Sequence, residues 1–386
     1  MTTAAEPLLL VGHERIRDGL ARAIHTGRLP GSLLLHGPAG VGKQRIGIWL
    51  ARRILCEAAG AATEPCGECP SCRLLQRLEH PDFHWFFPVE NIPGRGEKRA
   101  DAFEDARAEA LATRREYRWP TSRGMAGLYL DQMLTLRRLA AKKPAMGRRK
   151  VFLLGDAERL VTQEASPEAA NALLKLLEEP PDDTTLVLTA SDPDGLLPTI
   201  RSRLLPVRVD ALPEADVARW LTEHMDLDAA RAASVARASR GAIGIALDLA
   251  AATGDAGPYA EELQAGRALL EAVAHRSPAA ASAAANRQSP SRAREFAGSL
   301  HSLVLWLRDL TAVASDAEDL VVNAEAIPWL RSVAATLPAA GAAGPAAIDA
   351  VQQAASLAAG NVNPQLILAD LLPTLRALLG SSGNRS

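Results

Sequence analysis

The chain has 386 residues, enough at roughly 150 residues per domain for two or three domains with cores of their own, so a peptide-scale or disulfide-stapled fold is excluded. Hydrophobic residues make up 48% and charged residues 23%, the balance of a folded protein and not of a disordered one. Lys and Arg number 43 against 45 Asp and Glu, a formal net charge of -2, so no overall cationic field draws the chain to DNA or to an anionic membrane. A nucleic-acid contact would have to come from a local patch or from assembly with other chains.

The N-terminal stretch has no cationic region before its short apolar run Leu8 to Val11, and nowhere do 18 apolar residues run together, which predicts a cytosolic protein with no membrane association. Glu14 to Ala23 reads as a helix. Leu33-Leu34-Leu35-His36 reads as a short buried strand that runs into a glycine-rich turn and then another helix. Further strands are expected at Phe83 to Val89, Lys150 to Leu154, Thr185 to Thr189 and Leu205 to Val209. Helices lie between them at Gln132 to Ala141 and Ala169 to Glu179, the latter stopped by Pro180-Pro181. Strands alternating with helices predict an α/β domain whose parallel sheet is covered on both faces.

After Asp210 the strand signals stop. Helices are expected at Glu214 to His224, Asp228 to Ser239 and Ile243 to Ala251, followed by Ala/Leu-rich segments to Leu379. Few aromatics and many alanines beyond Ala211 predict small-residue helix packing there. The expected domains are therefore residues 1–210, a small helical unit 211–254 and a C-terminal all-helical domain 259–380, with Gly254 to Pro258 as a linker. His275 to Arg292 and Ser381 to Ser386 read as a mobile loop and tail.

Two motifs carry chemistry. Gly37-Pro38-Ala39-Gly40-Val41-Gly42-Lys43-Gln44 has the spacing of a Walker A loop between a strand and a helix. Such glycines let backbone N–H groups converge on phosphate oxygens, and Lys43 would neutralise the outer phosphates. Catalytic loops place a Ser or Thr hydroxyl on Mg²⁺ at the last position. Here that position is Gln44, which puts Mg²⁺ binding and metal-dependent hydrolysis in doubt and leaves weak ATP or ADP binding as the expectation. After the third predicted strand, Asp156 stands near where a metal-binding acid would sit, with Ala157 in place of a catalytic Glu. Glu158 is one residue further on, turned toward the other face by strand geometry; a retained fold with solvated acids is the plainer reading of this strand end.

All four cysteines fall in one segment, Cys56, Cys66, Cys69 and Cys72. In a cytosolic chain disulfides are disfavoured, whereas thiolates two residues apart, freed by Gly and Pro, can meet one tetrahedral Zn²⁺. A closed structural Cys₄ zinc site in a module spanning 56–72 is expected; a redox CxxC and free buried thiols are the alternatives. His80 and His84 are read as packing residues outside that site.

The phosphate loop, the cysteine insertion after its helix, His80-Pro81-Asp82, the stretch Asn171 to Pro181 and Ile200-Arg201-Ser202-Arg203 together resemble the bacterial clamp-loader AAA+ family, most of all its DNA polymerase III delta-prime type. Gly12-His13-Glu14 with Gly27 to Pro30 matches the family's opening, and Gly360 to Pro364 resembles the start of its last collar helix. The resemblance implies an AAA+ domain, a helical lid and an oligomerising collar. It also implies partners: other clamp-loader subunits in a pentameric ring and, through the assembly, a sliding clamp and primer–template DNA at the replisome. By resemblance Arg203, in a Ser-Arg pair followed by Leu204 where Cys is usual, is an arginine finger reaching the phosphate held by a neighbouring subunit.

In ATP-hydrolysing relatives an Arg of the lid senses nucleotide; the matching stretch here, Gly241 to Gly244, carries none, and the polar sensor falls at Ser191 or Thr189. A departure from the family is the stretch 91–127. Its core, Asp101 to Tyr117, reads as a solvated helix of both charge signs, the alternative being a contact with DNA or a partner through Arg114, Arg115, Arg118 and Trp119. The competing functional readings are an ATP-hydrolysing motor subunit or related remodeller, and a zinc-module nucleic-acid binder.

Overall fold

The structure is a computed structural model that describes residues 10–58, 60, 62–90, 92–94, 97–115, 126–160, 168–225, 227–251, 258–275, 293–359 and 363–380. The expected linker, mobile loop and tail fall almost entirely outside these, as do Gly360 to Val362, Arg118 and Trp119 and the side chain of Arg115. The described residues form two compact units, one of residues up to 224 together with 240–245, the other of 225–239 together with residues from 246 onward.

In the first unit, β1 (Ser32–His36), β2 (Phe83–Phe86), β5 (Lys150–Leu154), β6 (Thr184–Ala190) and β7 (Leu205–Arg208) build one five-stranded sheet in the order β2-β5-β6-β1-β7. Every pairing in it is parallel, with Leu34 opposite Leu188 and Phe152 opposite Leu186. The runs of consecutive apolar residues are explained by burial on both faces. Leu33, Leu35, Val151, Leu153 and Val187 pack on one face with Ile46, Trp49 and Leu50 of α2 (Lys43–Leu55) and Leu20 of α1 (Glu14–His25). Leu34, Phe152, Leu154, Leu186 and Leu188 pack on the other with Met133 and Leu136 of α5 (Leu130–Ala140) and Leu173 and Leu177 of α6 (Glu168–Glu178). Alternate residues thus feed two separate cores.

The run expected as one strand from Phe83 to Val89 is broken. Pro88 has no N–H to give a ladder, and Val89–Glu90 (β3) leaves the sheet to pair antiparallel with Ala126–Gly127 (β4). Between them lies α4 (Glu97–Arg115), and its outcome corrects the expectation of a solvated helix. Phe103 is fully buried, Ala110 and Leu111 pack against the same core, and Arg107 and Arg114 lie over the rings of Phe86 and of Trp85 and Phe87. Positions 103, 107, 111 and 114 share one helical face, which two arginines cover with their stems and guanidinium planes.

The second unit is helical: α9 (Ala229–Ser239), α11 (Pro258–Ala274), α12 (Ala293–Ala314), α13 (Ile327–Thr336), α14 (Ala340–Ala359) and α15 (Pro364–Gly380), whereas α8 (Glu214–Met225) lies, but for its last residue, in the first unit and α10 (Ile243–Ala251) is shared between the two. Ala340, Ala347, Val351, Ala354 and Ala358 form the buried stripe of α14. A Cβ on Gly344 would stand 2.0 Å from Thr311 Oγ1, so α14 approaches α12 at a distance only small residues permit. No helix among the described residues is long and apolar enough to cross a membrane.

Candidate functional site

The phosphate loop joins β1 to α2. Gly37, Gly40 and Gly42 all have positive φ, at 148°, 76° and 103°, a conformation that a side chain would strain. A Cβ at Gly37 would also lie 2.0 Å from the Val209 carbonyl oxygen. His13 braces the loop from the side: its Nε2 donates to the Val41 carbonyl at 2.8 Å, and burial lowers its pKa.

Lys43 is turned inward. Its Nζ donates to the carbonyls of Gly37 at 2.8 Å and Pro38 at 2.7 Å and to Ser191 Oγ at 2.9 Å. An ammonium has three donors, and all three have acceptors in this chain. Burial lowers the Lys43 pKa, an effect opposed by Asp156 and Glu158. Above the loop, Gly244 N–H donates to the Gly40 carbonyl at 2.8 Å, and a Cβ at 244 would come within 2.9 Å of that oxygen. The stretch 241–244 therefore rests on the loop at van der Waals distance.

Gln44 and Asp156, 112 residues apart in sequence, meet: Gln44 Nε2 donates to Asp156 Oδ1 at 3.2 Å. The other end of the same amide, Oε1, accepts from Trp85 Nε1 at 3.1 Å and from Arg114 Nη1 at 3.5 Å, which fixes the amide's orientation. The side chain lies so close over Gly155 that a Cβ there would be 2.5 Å from Oε1. Asp156 sits at φ 49° with its N–H donating to Thr189 Oγ1 at 3.0 Å. Thr189 is fully buried beneath the strand end, and Ser191 is the hydroxyl that faces Lys43. Glu158 Oε1 accepts from the Ser191 N–H at 2.8 Å, while Oε2 is buried with no partner among the described residues. Burial and then Asp156 push the Glu158 pKa up.

These partners also decide whether the site fits a metal-bound nucleoside triphosphate. The position that would offer a hydroxyl to Mg²⁺ offers a long amide already committed to Asp156, and the cations around it belong to the chain itself. The residues present do not fit that group. Trp85 and Arg114 carried no sequence signal for this role, since they come from separate elements 41 and 70 residues beyond Gln44.

The four cysteines converge as expected. Cys56 ends α2, and Cys69 caps α3 (Pro70–Gln76), its Sγ accepting from the Cys72 N–H at 3.4 Å. The Cys66 N–H donates to Cys56 Sγ and the Cys69 N–H to Cys66 Sγ, each at 3.4 Å. All four sulfurs lie within 4.8 Å of one another, with Cys66 and Cys72 3.9 Å apart. Zn–S bonds of about 2.3 Å in a tetrahedron require S···S edges of about 3.8 Å, so donor type, number and spacing fit Zn²⁺. The N–H groups of Cys69 and Glu68 hold the Cys66 thiol down at about 6, whereas burial pushes Cys56 and Cys72 up.

His80 and His84 stand outside the thiol cluster. The Asp82 N–H donates to His80 Nδ1, so Nε2 carries the proton and donates to Ser71 Oγ at 3.1 Å, and Ser71 in turn donates to Glu57 at 2.9 Å. This chain of bonds ties α3 to the sheet edge. His84 stacks on Phe152.

Arg203 follows α7 (Pro198–Arg201) and is partly exposed. It donates to Glu178 Oε1 at 2.7 Å and to the Thr199 carbonyl at 2.8 Å, and both partners lie outside the phosphate loop.

A family described as DNA polymerase III, delta subunit, matches residues 12–213. DNA polymerase III subunit delta' of Pseudomonas aeruginosa is 33% identical over 199 residues, covering 52% of this chain and 49% of that protein. DNA polymerase III subunit tau of Escherichia coli is 30% identical over 254 residues, 64% of this chain and 33% of that one. Subunit delta' of Haemophilus influenzae is 28% identical over 190 residues, 49% and 46% of the two chains. The match spans about half the length of the delta' relatives and a third of the tau relative. Since the family match covers more than half of its 386 residues, the chain belongs to the DNA polymerase III delta-subunit family.

Proposed function

We propose that this chain is a delta-prime-type clamp-loader subunit of a bacterial DNA polymerase III, a binding and allosteric member of the ring and not one of its motors. In this reading residues 1–210 form the AAA+ domain, 211–254 a lid and 259–380 a collar through which it joins other clamp-loader subunits in a pentamer in the cytoplasm. Its contacts with the sliding clamp and with primer–template DNA are made as part of that assembly. The observation that carries the reading is the Gln44–Asp156 hydrogen bond beside Lys43, which ties together the two positions that would hold a metal. A motor must keep that lysine and a metal position for nucleotide.

Arg203 is the arginine finger of this proposal. A guanidinium placed at a neighbour's γ-phosphate stabilises the charge that develops in transfer and makes hydrolysis depend on ring closure. Its ion pair with Glu178 is exposed and weakly held, so the side chain can be given up to a neighbour at little cost. Ser191 is the sensor position of this proposal, its hydroxyl accepting from Lys43. Zn²⁺ belongs to Cys56, Cys66, Cys69 and Cys72 as a structural ion; when bound it crosslinks the insertion and takes no part in chemistry, because four thiolates leave no open coordination position. Cys69 at the cap of α3 and the His80–Ser71–Glu57 bonds orient the module on the sheet.

A second reading, an ATP-hydrolysing subunit, draws support from the tau match, which extends over more of this chain than the delta' matches do. Reconstitution separates the two: the purified chain, mixed with the other loader subunits of its own cell, clamp and primed DNA, should be required for loading while hydrolysing no ATP by itself. Loading that proceeds equally well without it rejects the proposal.

A further inference from the structure

Helix α4 of the charged insertion ends beside Gln44 of the phosphate loop, and the residue it delivers there is a buried cation. Arg114 is 8% exposed. Its guanidinium carbon lies 3.8 Å from the Phe87 ring centroid and 4.7 Å from that of Trp85, while Nη1 reaches Gln44 Oε1. The helix that carries it is fixed further up by Phe103 in the core and by Arg99, which donates to the Ile92 carbonyl and pairs with Asp131 at 2.8 Å. Burial lowers the Arg114 pKa to about 10, with Asp156 acting in the opposite sense, so the group is charged at neutral pH.

We propose that Arg114 is a built-in cation that takes the electrostatic place of a divalent metal at Gln44 and Asp156, closing this phosphate loop to metal-bound nucleoside triphosphate. The two positions that would ligate the metal are the two joined by the Gln44 amide, and Arg114 is bonded to the far end of that amide. Asp156 acts on both Lys43 and Arg114, and Glu158 on Lys43, so the acids at this strand end already have cations of the chain's own. A dication added there would meet a guanidinium held in a low-dielectric site, where like charges repel strongly. Gln44 and Arg114 are also a matched pair, since a hydroxyl at 44 would withdraw the acceptor that Oε1 offers to both Trp85 and Arg114. The insertion thus acts as an internal plug. This rests on the reading of the chain as a non-hydrolysing subunit and names the residue that enforces it.

Calorimetric titration with ATP, once with Mg²⁺ and once with EDTA, tests the plug on the full chain. The unmodified protein should take up ATP equally poorly in both, within about twofold. The double substitution Gln44→Thr with Arg114→Met, which keeps an unbranched side chain on the two rings, should bind at least tenfold tighter with Mg²⁺ than with EDTA. Gln44→Thr with Arg114→Lys should stay indifferent to the metal. A tenfold preference for Mg²⁺ in the unmodified protein, or a folded Gln44→Thr, Arg114→Met protein with no such preference, overturns the proposal. The first measurement needs no variant, so it stands even if the double substitution fails to fold. Clamp loading by the unmodified chain is read separately, so failure of the subunit assignment is distinguishable from failure of the plug.

Discussion

Gln44 Nε2 lies 3.2 Å from Asp156 Oδ1, so the residue where a metal-ligating hydroxyl is expected is hydrogen-bonded to the acid that would share the metal. A site arranged in this way has spent its ligands on each other. With Lys43 also turned to its own loop, the isolated chain should show negligible ATP hydrolysis, unchanged by Lys43→Ala. Steady turnover of about 1 s⁻¹ or more, the ordinary scale for enzymes, that Lys43→Ala abolishes would show the loop to be a working one.

The thiol cluster leads to an elemental measurement. Protein purified without chelator should carry one zinc per chain, and Cys69→Ser should lose it while the parallel sheet, which has its own two cores, stays folded. Because metal binding is folding free energy for a segment with little core, limited proteolysis of that variant should cut first between Cys56 and Cys72. Less than roughly 0.2 zinc per chain, with thiols that label freely in the native protein, contradicts a closed tetrathiolate site.

Strands β1, β5 and β6 were legible because each is a short, largely apolar run, and burial on both faces is what such a run encodes. The phosphate loop and the cysteines were legible because their chemistry depends on local spacing. What escaped was the inner face of α4. Phe103 and Leu111 alone looked too sparse to hold a helix down, and the arginines between and beyond them counted as polar, whereas Arg107 and Arg114 bury their stems and lie flat on Phe86, Trp85 and Phe87. Nor could spacing choose between Thr189 and Ser191. Both are hydroxyls two residues apart, and only the end of β6 at Ala190 separates the one buried under Asp156 from the one that reaches Lys43.

His84 gives the sheet edge a pH dependence of definite sign. Burial against Phe152, then the charge of Arg107, lowers its pKa from 6.5 to about 4. The unfolded chain therefore binds the proton first, and the stability contributed by neutral His84, full above pH 6.5, is lost as pH falls from there toward 4. A tenfold difference in proton affinity between the folded and unfolded chain is worth about 1.4 kcal/mol, so the loss is up to about 3 kcal/mol. Chemical denaturation of His84→Phe across this range should show a flatter acid limb than the unmodified protein. Parallel curves would mean that His84 titrates alike in both states.

The central claim is that this subunit acts on ATP in trans, through Arg203, and the direct test is a loader assembled with Arg203→Ala. Substituting a surface residue usually changes stability by no more than about 0.5 kcal/mol, so the subunit should fold and assemble. Hydrolysis at the one neighbouring site should fall by up to about 10³-fold, the lower end for arginine fingers, so DNA-stimulated ATPase should drop in part while clamp loading drops much further. ATPase and clamp loading both at the unmodified rate, in a complex verified to contain the variant chain, would contradict the account.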